Sequence, residues 1–397
     1  MSRARIAVLS TTRADYGLLY WVLRAILDDP DLELLLYVTG SHLSPAFGFT
    51  ADAIEADGIP IRRRIEILLA ADTPTAIGKA MALALAGFSD ALAEDRPAVL
   101  VMLGDRFEIV PVALACVLHG VPVAHIHGGE TTEGALDEYF RHAVTKLATL
   151  HFPATEAYRR RIVQMGEAPE RTFAFGAPGL DHLHRTELPS RATLQGDLGL
   201  PLDRATALVT YHPVTAEPGE ASAQVEALLA ALLAEAPLQA VFTQPNADAE
   251  GRAIHERLER FCRDHPDRFR LIANLGTPRY LGCLRHLDLL VGNSSSGLVE
   301  APSFALPVVN VGTRQRGRIR APNVIDVGND EAAIRRGIRT ALAPGFRERL
   351  SGMTNPYDPV GDGRVSERIV GEVKRFVREG APRVKAFVDL EHGGARG

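Results

Sequence analysis

Short apolar runs alternate with longer segments in which apolar residues recur at helical spacing, from one end of the chain to the other. RIAVLS ends in a polar turn, YGLLYWVLRAILDD follows with helical periodicity, and LELLLYVTG reads as the next buried strand. Strand, helix and strand in that order predict a right-handed crossover and a parallel sheet. The pattern recurs: IGKAMALALAGFSDALAEDRP is a helix, AVLVMLGD a strand, VPVALACVLHGVP a helix and VAHIHGG a strand, with LHFPAT and RTFAFGAPG continuing it. Residues 184–205 are polar, turn-rich and contain proline, which marks a linker. Beyond it, ALVTYHP, AVFTQPN, FRLIANLG, LDLLVGNSSSG, PVVNVG and NVIDVG read as strands, and ASAQVEALLAALLAEA and AEGRAIHERLERFCRDH as helices between them. RVSERIVGEVKRFVREG begins a late helix, expected over residues 364–390.

The predicted class is therefore α/β, with two doubly wound domains over residues 1–183 and 206–363 and a cleft between them. Ligands of such sheets bind outside the carboxyl ends of the strands. That rule selects the turns STTRADYG, LGDRFE, HGGETTEG, YHPVT, TQPNADAEG and GNSSSG.

Composition narrows the partners. The 397 residues are 46% hydrophobic and 23% charged, ordinary for a globular protein with more than one core. A net charge of -5, without a basic block, disfavours nucleic acid. Cys116, Cys262 and Cys283 lie far apart, which argues against a disulfide framework or a zinc site. The N-terminal run lacks the pattern of a signal peptide, and no stretch reads as a bilayer span, so the expectation is a cytoplasmic protein without a membrane partner.

The turn GNSSSGLVEAPSF places small residues between a strand and an apolar helix. Unpaired amides at a helix start favour an anion, serine hydroxyls add donors, and glycines let a phosphate approach. Capping by Asn293 or a serine is the plainer account. Glu300 suits the two hydroxyls of a ribose, or only the helix dipole. STTRADYG lacks the GxGxxG fingerprint, so a dinucleotide site is disfavoured. Arg13 in that turn suits a diphosphate, or is a surface arginine. His212 is a phosphate clamp, a proton donor or a structural histidine. Of Arg314, Arg316, Arg318 and Arg320, one or two are expected to reach a ligand.

HIHGGETTEGALDEYFRHAVTK gathers acids, histidines and an arginine. His125 and His127 with Glu130 form only part of a metal set, so no metal is expected. Asp105 and Glu130 both follow strands, and Asp137 and Arg141 are spaced to share a helix face. As a surface ion pair the latter is worth only about 0.5 kcal/mol. A cluster of carboxylates fits better, because crowding pushes their pKa values apart and lets one accept while another donates a proton.

Together TTRADYGLL, LGDRFE, HIHGGETTEGALDEYFRHAVTK, TYHPVT, QPNADAEG and GNSSSGLVEAPSF followed by NVGTRQRGR resemble the hydrolysing UDP-N-acetylglucosamine 2-epimerases of sialic-acid-type biosynthesis, over nearly the whole length. LDEYFRH and YHPVT depart from the corresponding PEExNR-like and HRRE-like stretches of the non-hydrolysing relatives. The resemblance implies the GT-B fold, two Rossmann-like domains with the C-terminal helix crossing back to the first. It implies that Arg13, His212, Ser295, Ser296, Gly297 and Arg314 hold a diphosphate, and that Asn246, Gly292 and Ser294 lie on the same substrate and nucleotide side. Glu300 would hold the ribose, and Asp105, Glu130, Asp137 and Arg141 would surround the sugar. It also implies a homodimer or homotetramer.

The implied reaction starts from UDP-N-acetylglucosamine. The C2 hydrogen becomes acidic only as the C1–O bond ionises, so oriented dipoles must first stabilise the departing diphosphate. A carboxylate then takes the proton to give a 2-acetamidoglucal. Water adds at C1 and a proton returns to the other face of C2, giving N-acetylmannosamine and UDP. Asp105 and Glu130 are the expected proton-transfer groups and Asp137 the positioning group, with no cofactor. The same chemistry on UDP-2,4-diacetamido-2,4,6-trideoxyglucose or a GDP-linked hexosamine, of the legionaminic acid route, is the near alternative. A GT-B glycosyltransferase or a non-catalytic nucleotide-sugar sensor are alternatives of other classes.

Overall fold

A computed structural model describes residues 3–45, 48–71, 73–133, 136–214, 217, 219–244, 251–272, 275–380 and 385–389. Two compact units emerge: Met1–Glu130 with Leu136–His184 and Tyr357–Gly397, and Thr131–Ala135 with Arg185–Pro356.

Among the described residues the first unit carries six strands: β1 (Ala4–Ser10), β2 (Leu32–Thr39), β3 (Ile61–Ile65), β4 (Val99–Leu103), β5 (Val123–Ile126) and β6 (Leu150–Phe152). All pair in parallel in the order β3-β2-β1-β4-β5-β6. The apolar runs are continuous because both faces are covered. Ile6 and Val8 of β1, Leu36 and Val38 of β2, and Val99 and Val101 of β4 enter one core. Their neighbours Ala7, Leu9, Leu35, Tyr37, Leu100 and Met102 enter the other. The order reverses between β1 and β4, where a ligand crevice is expected in this topology.

The helix Arg13–Asp28 starts on a capping box, in which Thr12 and Asp15 satisfy each other's backbone amides. Against it packs the helix Val365–Glu379, whose Val365, Ile369, Val370, Val373 and Phe376 complete the first core. At about 1.5–3 kcal/mol for each buried side chain, that face is a large share of the unit's stability. Asp181 receives the backbone amides of Val365 and Ser366 at 2.9 and 2.8 Å, and Lys374 pairs with Asp29 and Asp31 at 2.7 and 2.8 Å.

The second unit, again among the described residues, has β7 (Thr206–Thr210), β8 (Gln239–Thr243), β9 (Phe269–Ile272), β10 (Leu289–Gly292), β11 (Val308–Val311) and β12 (Val324–Val327). They run parallel in the order β12-β11-β10-β7-β8-β9, so the reversal lies between β7 and β10.

Several expectations change. The stretch read as a linker over 184–205 contains the helix Arg191–Leu198, capped by Ser190 and ended by Gly199 in the left-handed conformation. From Tyr357 onward the chain belongs to the first unit, so the second does not run to residue 363. The late helix ends at Glu379, where Gly380 takes a positive φ, and not at 390. RTFAFGAPG forms no strand beyond a single bridge from Thr172 to His151; Phe173 and Phe175 stack instead on Phe152, and Gly176 turns the chain at φ +112°. Among the described residues one helix, Pro74–Asp95, is long and apolar enough to cross a bilayer, which corrects the expectation that none would be. Its Ala84, Phe88 and Leu92 pack against the sheet, and Asp95 at its end pairs with Arg62 and Arg63.

Candidate active site

Two adjacent strand ends of the first unit present carboxylates. Asp105 follows β4 and Glu130 follows β5. Arg141, buried on the helix Asp137–Leu147, joins them: its guanidinium pairs with Asp105 and donates to the Glu130 carbonyl at 3.1 Å. Glu138, one turn before it, accepts from the same guanidinium at 2.7 Å. A buried arginine with two carboxylates and a carbonyl is a rigid post, because its planar fork fixes the position of each acceptor. Asp137, the expected partner at i+4 spacing, is exposed at the first position of that helix.

The turn between β5 and Glu130 has little freedom. A Cβ on Gly128 would lie 2.9 Å from His125 Nδ1, and one on Gly129 would lie 2.6 Å from the Tyr158 carbonyl. The two histidines differ sharply. His125 is fully buried, with Nε2 on the Gly104 carbonyl at 2.7 Å and Nδ1 on Thr145 at 3.3 Å. Burial pushes its imidazole down to about 3, so it is a neutral structural group. His127 points Nδ1 at Glu130, with 2.6 Å to Oε1. The pair therefore does not act as one metal-ligand set, and among the described residues no group of three His, Cys, Asp or Glu side chains is placed to hold a metal.

At β1, Arg13 is the exposed first residue of its helix. Behind it, Asp15 accepts from Ser10 and from the Thr11 and Thr12 amides at 2.8–2.9 Å. Ser10 Oγ also meets His42 Nε2 at 2.9 Å.

In the second unit the loop after β10 is organised by Asn293. Its side chain exchanges two hydrogen bonds of 2.8 Å with the His212 backbone. Its carbonyl accepts from Arg314 at 3.2 Å and Gln315 at 2.8 Å. Asn293 is thus a tie between the β7, β10 and β11 turns, not the helix cap that was the plainer expectation. Gly292 has φ +138°, and a Cβ there would fall 2.0 Å from the Thr210 carbonyl. Ser294 and Ser295 are half-buried, whereas the Ser296 hydroxyl is buried beside the Tyr280 phenol. The helix that follows is a single turn, Ser296–Val299, continued by a 3-10 turn Ala301–Phe304. So short a helix carries little macrodipole. Gly297 serves packing, since a Cβ would lie 2.8 Å from Val308 Cγ1. Glu300 is half-buried just past the turn. Arg320 pairs with Asp326 at 2.8 Å, and Arg314 donates to the Asn293 carbonyl of the serine turn. Asn246 lies outside the described residues.

Residues 24–374 match the family described as UDP-N-acetylglucosamine 2-epimerase.

The chain belongs to that family.

It is 40% identical over 364 residues to UDP-N,N'-diacetylbacillosamine 2-epimerase (hydrolyzing) of Legionella pneumophila, covering 92% of this chain and 94% of that one. It is 38% identical over 326 residues to GDP/UDP-N,N'-diacetylbacillosamine 2-epimerase (hydrolyzing) of Campylobacter jejuni, covering 82% and 85%. The solved structure of Methanocaldococcus jannaschii UDP-GlcNAc 2-epimerase in complex with UDP-GlcNAc and UDP aligns with a TM-score of 0.75. That match covers 94% of this chain and 100% of the other at 17% identity, and establishes the shared GT-B-type fold. The chain is thus a 2-epimerase of the hydrolysing branch, acting on a nucleotide sugar.

The enzyme's His212 is neutral at neutral pH: burial, and then the nearby Arg314, push its imidazole down to about 3. The positive charge beside Asn293 is therefore that of Arg314, and the expected His212 clamp is not cationic. In the unfolded chain histidine titrates near 6.5, whereas His125 and His212 stay neutral in the fold down to about 3. Their contribution is complete above about pH 6.5 and shrinks as pH falls towards 3. Each unit holds one of them, and each is expected to lose about 2 kcal/mol between pH 6.5 and 5. Urea unfolding at the two pH values measures this; midpoints that do not move would contradict it.

Glu138 and Gln315 escaped the sequence reading because spacing alone did not separate Glu138 from Asp137, nor Gln315 from the arginines around it.

Proposed function

We propose that the enzyme cleaves UDP-N,N'-diacetylbacillosamine, which is UDP-2,4-diacetamido-2,4,6-trideoxyglucose, to UDP and the free sugar inverted at C2. The geometric support is the placement of Asp105 and Glu130 at neighbouring strand ends, fixed through one buried arginine. The support for the sugar is the pair of diacetylbacillosamine relatives at 40% and 38% identity, which favour it over UDP-N-acetylglucosamine. The second unit contributes the diphosphate site: Ser294, Ser295, the Ser296 hydroxyl and Arg314 supply oriented donors to the leaving group, and Glu300 takes the ribose. Because these donors are fixed before the reaction, they stabilise the developing charge without reorganising. Asp105 and Glu130 then exchange protons with C2, and Asp137 helps to seat the sugar.

The test is incubation with UDP-N,N'-diacetylbacillosamine, UDP-N-acetylglucosamine and GDP-N,N'-diacetylbacillosamine in deuterated water, followed by NMR. The expected products are UDP and a manno-configured sugar with one deuterium at C2, with kcat/KM about 100-fold or more above that for UDP-N-acetylglucosamine. Preference for UDP-N-acetylglucosamine would move the substrate back to the monoacetylated sugar. Cleavage without C2 exchange would remove the mechanism, and release of UDP only on addition of an acceptor would mark a glycosyltransferase.

A further inference from the structure

His127 carries two local costs at one position. Its backbone has φ +63°, a region that histidine enters more readily than most side chains but still with strain. Its Nε2 is buried with no hydrogen-bond partner among the described residues, although the side chain as a whole keeps 13% exposure. A buried ring nitrogen without a partner loses its water for no return. Asparagine would fit the same backbone and offer Glu130 the same kind of hydrogen bond, so neither the turn nor Glu130 accounts for an imidazole here. His125, two residues earlier, shows the contrast, with both ring nitrogens satisfied.

We propose that His127 is a catalytic residue for the hydrolytic half of the reaction, an assignment that rests on the function proposed above. Nδ1–H donates to the Glu130 carboxylate at 2.6 Å, which fixes the tautomer and leaves the Nε2 lone pair for a hydroxylic donor. The donor that the reaction provides is the water that adds at C1 of the 2-acetamidoglucal. A carboxylate that orients an imidazole, which in turn activates an oxygen nucleophile, is a general solution for such a step. The water O–H bond breaks as its oxygen bonds C1, and its proton passes to Nε2. The C1=C2 π pair takes a proton at C2 from the Asp105 carboxyl group, while Glu130, having passed to solvent any proton it took during elimination, stays the ionised partner of the imidazole. The imidazolium, held by Glu130, then gives its proton to solvent, from which the spent carboxylate is reprotonated, so that one water is added in all.

The two halves can be measured apart. UDP release reports elimination, and the vinylic C1 proton of the glucal reports what has not been hydrated. His127→Asn is expected to release UDP within about 10-fold of wild type, to hydrate the glucal about 100-fold more slowly, and so to accumulate it. Its melting temperature is expected to match or exceed wild type, because asparagine relaxes the backbone. If H127N does not fold, H127G removes the ring and accepts the same φ. Wild-type protein that releases no nucleoside diphosphate from any of the three nucleotide sugars overturns the underlying function, and this assignment with it. A wild type that turns over beside a variant that yields free sugar without glucal overturns the assignment alone. Equal loss of UDP release and hydration also overturns it, since that would make His127 only a support for Glu130.

Discussion

Asp105→Asn and Glu130→Gln are each expected to cut kcat for nucleotide-sugar cleavage by about 100- to 10,000-fold, the usual range for a lost proton-transfer group. UDP itself should bind both variants within about threefold of wild type, because its expected donors, Arg314 and the serine turn, lie in the other unit. The two changes differ in their effect on stability. Asp105→Asn removes a negative charge paired with Arg141, a side chain only 1% exposed, and weakens the compensation of that buried guanidinium. A loss of about 1–3 kcal/mol follows from an under-paired buried charge. Glu130→Gln keeps an oxygen and a nitrogen near His127 and should unfold close to wild type. Steady-state kinetics beside UDP titration calorimetry separate these effects. Near-normal turnover in both variants would remove the carboxylates from the chemistry.

Gly292→Ala is the second large effect. The new methyl carbon would fall 2.0 Å from the Thr210 carbonyl, and the residue would be held at φ +138°. Either β7 and β10 separate at their ends or the serine turn reorganises, and both cost more than about 3 kcal/mol. For a unit of this size the melting temperature should drop by about 10 °C, with UDP affinity falling about 10-fold or more as the turn loses its shape. Gly196→Ala is the control. That glycine lies inside the helix Arg191–Leu198, where an added methyl would meet no atom within 4 Å, and the change should be neutral or stabilise by about 0.5 kcal/mol. Similar losses in the two variants would show that the close approach at Gly292 is not what requires a glycine.

The central strands were legible because a parallel sheet covered on both faces writes an uninterrupted apolar run, as in RIAVLS and AVLVMLG. The edge strand β3, IRRRI, was not, since its Arg62 and Arg63 reach sideways to Asp95 on the helix Pro74–Asp95. The helix Arg191–Leu198 had its signals, Ser190 before it and Gly199 after it, but proline and polar residues around it spoke louder. At the site, the motifs located the acids but not their partners. Arg141 and Asp137 have helical spacing, yet the structure ties Arg141 to Asp105, which is 36 positions away. Asn293 is another case: its role depends on His212, 81 residues earlier, and local capping rules cannot see that. The strain at His127 is a backbone angle, and periodicity carries no information about it.

The helix Val365–Glu379 belongs to the unit that the chain began more than 300 residues earlier. A ribosome therefore delivers the strands of that unit long before the piece that finishes its core. Until the last stretch emerges, Leu19, Val22 and Ile26 have no cover from Ile369 and Val373, while Arg185–Pro356 is already available as an uninterrupted segment. During synthesis the second unit is thus the first able to close, and a nascent chain that stalls before Tyr357 offers chaperones an apolar surface that the finished protein never shows.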